Sequence, residues 1–164
     1  MLAVATFAAG LGMPAHAHTP AGDQVRSSQR TFAKTLFRLQ NAERHRHGLR
    51  RLPASRKLAR AARRHARDMV RRHYFGHVSR GRDVVDRVAS TGYGRGRRFA
   101  AQENLYWWKP RQSPRVVLRA WMESPVHRAN ILNPGWTHFG LATVMRSPFG
   151  RGGVTVVGVF GKQR

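Results

Sequence analysis

The chain has no cysteine among its 164 residues. That excludes disulfides, thiolate metal centres, iron–sulfur clusters and a cysteine nucleophile. It has no apolar run long enough to cross a bilayer. Acidic residues are scarce: Asp and Glu total 7, against 31 Lys and Arg, for a formal net charge of +24. Such a chain repels itself and attracts polyanions. DNA, RNA, anionic lipid and anionic wall polymers all qualify. A second reading is compositional. The basic residues are almost all Arg, and Arg with abundant Ala and Gly is what GC-rich coding produces on a solvated surface. The glycines at Gly92, Gly94 and Gly96 sit among Arg95, Arg97 and Arg98. No Gly-Lys-Ser/Thr follows them, so this loop is not a phosphate-binding P-loop.

What is present suits one packed domain. Hydrophobic residues make up 41% of the chain, and its length provides one core rather than two. Residues 1–17 read as a signal peptide without a basic n-region: a small, apolar stretch ends in Ala15-His16-Ala17, with cleavage expected after Ala17. Residues 18–30, polar and containing Pro20 and Gly22, read as a linker, and residues 31–164 as the domain.

Phe32, Leu36, Leu39 and Ala42 recur at helical spacing, with Ser27 or Ser28 as the expected cap and Gly48 as the stop. A second helix starts near Ser55 with the stripe Leu58, Ala62, His65 and Met69. Its other face is rich in Arg, and Asp68 is placed to pair with Arg64 or Arg72. Asp83 and Asp86 open a short helix. Ser113-Pro114 and Ser124-Pro125 each start another, with Pro at the first helical position, and Asn133-Pro134-Gly135 stops the last. Phe139 to Met145 and Val154 to Phe160 are β-prone and are expected to pair as a hairpin. Helices first and strands last indicate an α+β layered domain.

These segments also carry a resemblance. Asn41-Ala42-Glu43-Arg44, His65-Ala66-Arg67-Asp68-Met69, Phe75-Gly76-His77-Val78-Ser79, Gly92-Tyr93, Gln102-Glu103-Asn104-Leu105 and the stretch from Trp121 to Leu132 follow one another in a fixed order. Together they resemble the CAP family of cysteine-rich secretory proteins, antigen 5 and pathogenesis-related proteins, in its bacterial form. The resemblance spans about residues 31 to 161. It implies a three-layer α-β-α sandwich with a central, mainly antiparallel sheet. It also implies a cleft with two His and two acidic residues. His77, Glu103 and His127 match those positions. The second acidic position is occupied by Ser124, with Glu123 one residue earlier, where a helix would rotate it by about 100°.

Two imidazoles and a carboxylate suit zinc or another divalent metal, with a position left open for water or ligand. Without metal, a His–Glu pair can move protons near neutral pH. Each residue also has a structural reading. His77 can bond loop backbone, Glu103 can satisfy amides at a strand end, and His127 can anchor its helix. His65 reads as a buried, hydrogen-bonded core histidine. Trp107, Trp108 and Trp136 read as packing. Three functions stay open at this point. One is an extracellular or envelope binding module for a small or lipidic ligand or wall component. The second is a metal-dependent, peptidase-like hydrolase at the wall. The third is sequence-independent polyanion binding. A monomer is expected, and catalysis itself is left open.

Overall fold

In a computed structural model, residues 20–163 are described, with side chains from residue 22 onward. The signal-peptide reading of residues 1–17 lies outside them. Helix α1 spans Pro20–Arg46. The sequence places a linker over residues 18–30 and a cap at Ser27 or Ser28; instead residues 20–30 are helical and both serines lie within the helix. The reason is cooperative. The turns that bury Phe32 and Leu36 supply the nucleus, and extending a formed helix through polar residues costs little. Pro20 at the start and Asp23 in the first turn are compatible with a helix N-terminus.

Helix α2 spans Arg56–Arg72. Ser55 caps it, its hydroxyl accepting from the Leu58 amide. His73 ends it in the left-handed conformation, φ 55°. Leu58, Ala62, His65 and Met69 are buried as the periodicity requires. Helix α3, Val84–Ala89, begins with a capping box between Asp83 and Asp86. Helices α4, Pro114–Glu123, and α5, Pro125–Leu132, both begin at a proline.

Strand β1 covers Phe99–Trp108, β2 His138–Val144 and β3 Val154–Gln163. The expected β2–β3 hairpin forms, but β3 is the central strand, in the order β1-β3-β2, and both pairings are antiparallel. On one face of the sheet, Leu105, Val157 and Val159 pack against Leu58, Ala62 and Met69 of α2 and Val88 of α3. On the other, Val154, Val156 and Phe160 pack against Leu36 of α1, Val117 and Trp121 of α4 and Ile131 of α5. This is a three-layer α-β-α sandwich.

Two details place the functional region. Buried Arg44 donates from Nη1 to the carbonyls of Ile131 (2.6 Å) and Asn133 (2.9 Å), and from Nε to Arg50 O (3.1 Å). It thereby holds the end of α5 through that helix's free carbonyls. Strand β1 lies at the edge of the sheet, so its outer side is free to be approached from both helical layers.

Candidate functional site

Glu103 projects from β1 toward the α2/α3 layer, and its side chain is only 1% exposed. A buried carboxylate requires compensating donors. It has them. Arg87, in the last turn of α3, places Nη2 2.6 Å from Glu103 Oε1. The other guanidinium nitrogen, Nη1, donates to the carbonyls of His77 (2.8 Å) and Arg82 (2.9 Å). One arginine therefore neutralises the acid and fixes the loop that carries His77.

His77 Nδ1 lies 3.0 Å from the same Oε1. A carboxylate only accepts, so Nδ1 carries the proton toward Glu103, and in the neutral ring Nε2 keeps its lone pair. The His77 side chain is 59% exposed, so this second nitrogen is available to a ligand. Glu103 Oε2 is buried and has no hydrogen-bond partner among the described residues.

His127 arrives from the opposite layer, on α5. Asn104, on the other face of β1, donates Nδ2 to His127 O (2.9 Å). Asn130 donates to Asn104 Oδ1 (2.9 Å), and its own carbonyl accepts from Trp136 Nε1 (3.1 Å). Burial pushes the His127 imidazole below the ordinary histidine range, and the nearby charge of His77 lowers it further. The two histidines are thus within electrostatic range of each other.

The remaining sequence candidates separate from this group. Glu123 is exposed at the end of α4. Ser124 joins α4 to α5, and its side chain makes no cap hydrogen bond. Neither is hydrogen-bonded to His77, Glu103 or His127 among the described residues. His65 is a core histidine: Nε2 bonds Gly76 O at 2.9 Å, and burial lowers its pKa. It also lies 3.7 Å from Glu103 Oε1, closing the inner wall of the site. Trp136 is buried; Trp107 packs edge-on against Phe75 and Phe149.

Arg87 is the functional residue that the sequence reading does not single out. One signal was available. A lone buried acid needs a partner cation, and Arg87 follows the capped start of a short helix.

The arrangement does not fit the three-ligand metal centre expected from His77, Glu103 and His127. Glu103 Oε1 is already engaged by a guanidinium and by His77 Nδ1. No group of three or more metal-binding side chains converges among the described residues. Two imidazoles remain, fewer than the three protein ligands of a typical catalytic zinc.

Comparison with known proteins agrees with the fold. The model of the cysteine-rich secretory protein family, CAP, matches residues 37–160. The uncharacterized protein YkwD of Bacillus subtilis (strain 168) is 37% identical over 119 residues, covering 72% of this chain and 44% of that protein. An extracellular protein containing a SCP domain from Bacillus anthracis str. Ames superposes with a TM-score of 0.73 at 26% identity, over 92% of this chain and 45% of that one. An outer surface protein from Borrelia burgdorferi superposes with a TM-score of 0.68 over 80% of this chain and 92% of its own, at 21% identity, a likeness of fold alone. The chain spans less than half the length of the two Bacillus proteins. With a family match over most of its length and a relative more than one-third identical, this chain belongs to the cysteine-rich secretory protein (CAP) family.

Proposed function

We propose that this CAP domain is a binding module, acting outside the cell or at its envelope, whose cleft at the β1 edge takes a small amphiphile. The observation that carries the reading is the His77–Glu103 contact, which orients His77 and leaves Nε2 open beside His127. The lone pair accepts from a hydroxyl headgroup. Exposed apolar residues lie next to both histidines in the sequence: Phe75 and Val78 around His77, and Val126, 71% exposed, before His127. An apolar chain lying on them would remove that surface from water, worth roughly 25 cal/mol per Å². The description of the Bacillus anthracis neighbour as an extracellular protein supports the location. No helix among the described residues is long and apolar enough to cross a membrane.

The test is binding of a monoacylglycerol, which has a hydroxyl head and one chain. His77→Ala is expected to weaken it about fivefold, the value of one hydrogen bond. Val126→Ser is expected to weaken it through lost apolar contact. Unchanged affinity in both variants would remove the cleft from the reading.

Zinc or another divalent metal, if bound, would rely on the imidazoles of His77 and His127, with Glu103 orienting His77 from behind. A metal-dependent hydrolase is the weaker reading, because no third side-chain ligand is placed for the ion. Polyanion attraction is a separate reading, carried by the net charge of +24.

A further inference from the structure

Beside the histidine cleft, α2 and the segment from Ser79 to Ser90 enclose a cavity of about 570 Å³. Six of its ten lining residues are Arg: Arg64, Arg67, Arg71, Arg80, Arg82 and Arg87. Lys and Arg together are 31 of 164 residues in the whole chain, so this concentration exceeds the general surplus.

The local structure explains how they meet. Arg64, Arg67 and Arg71 fall at i, i+3 and i+7 on α2, one face of the helix. Opposite them, Ser79 and Arg82 exchange two backbone hydrogen bonds of 3.0 Å each and close a tight turn. Its two central residues, Arg80 and Gly81, both have positive φ, 50° and 71°. Such turns favour Gly, Asn or Asp, so an arginine held there is a sterically disfavoured choice. The turn directs Arg80 into the cavity lining.

The only carboxylate in the lining is Asp68, and it is already committed. Ser79 Oγ donates to it at 2.6 Å, Tyr74 OH at 2.8 Å and Arg71 Nη2 at 3.2 Å. Burial pushes the Asp68 carboxyl upward, but these donors outweigh burial and hold it below the usual range. Arg87 is committed to Glu103. The side chains of Arg64, Arg67, Arg80 and Arg82 make no hydrogen bond or ion pair among the described residues. Four uncommitted guanidiniums around one concavity repel one another and concentrate positive potential in it.

We propose that this cavity is a binding site for a phosphoryl group carrying about two negative charges, a phosphomonoester or pyrophosphate. The guanidinium forks of opposed arginines match its tetrahedral oxygens, two N–H donors at a time. A single carboxylate would leave most of the converging charge unneutralised. The site lies apart from the amphiphile reading and does not rest on it. It differs from whole-surface polyanion attraction by committing the interaction to one place.

The experiment compares two exposed double variants of equal net charge, Arg64→Gln/Arg80→Gln in the cavity and Arg115→Gln/Arg119→Gln on α4, by calorimetric titration of the full chain with pyrophosphate. The cavity pair is expected to weaken binding at least about tenfold, and the α4 pair less than about twofold. Equal weakening by both pairs, or no binding by the wild-type chain at millimolar pyrophosphate, overturns the proposal. Vesicles of phosphatidylcholine containing phosphatidic acid identify the source. Loss of vesicle binding in the cavity variant alone assigns the site to a lipid headgroup as well. Unchanged vesicle binding alongside lost pyrophosphate binding assigns it to a soluble phosphorylated compound.

Discussion

Glu103 shows how one buried residue can organise a site. Its carboxylate is sealed from solvent, and two of its neighbours reach the same oxygen from different segments, Arg87 from α3 and His77 from the loop after α2. Removing the charge from one member of a buried pair leaves the other uncompensated, which costs about 3 to 5 kcal/mol. Glu103→Gln is therefore expected to lower stability by that order in a urea titration, and Glu103→Gln/Arg87→Met to recover part of the loss. A Glu103→Gln protein as stable as the wild type would show that the pair is not structural. At this scale much of the candidate site can be picked out from the sequence. With seven acids in the chain, a Glu in the segment Gln102-Glu103-Asn104 stands out, and His77 and His127 follow from their segments. Arg87 was only weakly legible: its place after a capped helix start was visible, but nothing in the sequence ties it, among so many arginines, to Glu103. Its role comes from a contact 16 residues away that only the fold creates.

Between elements, the helices were clear and one strand was not. Capping serines, prolines at first helical positions and apolar stripes marked α2, α4 and α5. Strand β1 escaped because its centre, Gln102-Glu103-Asn104, is polar. Gln102 is exposed, and Glu103 and Asn104 serve the candidate site and the neighbouring helix rather than the core, so the strand lacks the usual apolar signal. The start of α1 was obscured for a different reason: its first turns are exposed and owe their form to the packed turns behind them. Close packing of α2 on β2 also depends on one residue. A Cβ at Gly140 would overlap the backbone of Leu58 and Ala59. Gly140→Ala is expected to push α2 away from the sheet and cost about 1 to 3 kcal/mol, read as a lowered Tm. An unchanged Tm would mean that the two elements have slack the packing does not suggest.

Over the whole molecule, the α-β-α layering matters because it lets opposite layers meet at an exposed strand edge. His77 belongs to the α2 side and His127 to the α5 side, and Glu103 and Asn104, adjacent on β1, hold one each. The order of the family motifs made this architecture readable, whereas the meeting across the edge depends on β1 lying outermost. The same layer arrangement sets the arginine cavity against the rear of the cleft, with Arg87 and His65 contributing to both. The most direct test is an NMR pH titration of His127 in the wild-type chain and in His77→Ala. Burial and the positive charge that His77 gains on protonation both depress His127, so removing His77 deletes the second of these and should raise the His127 midpoint toward 6.5, the unperturbed value. A His127 titration identical in the two proteins would mean that the histidines do not share a cleft.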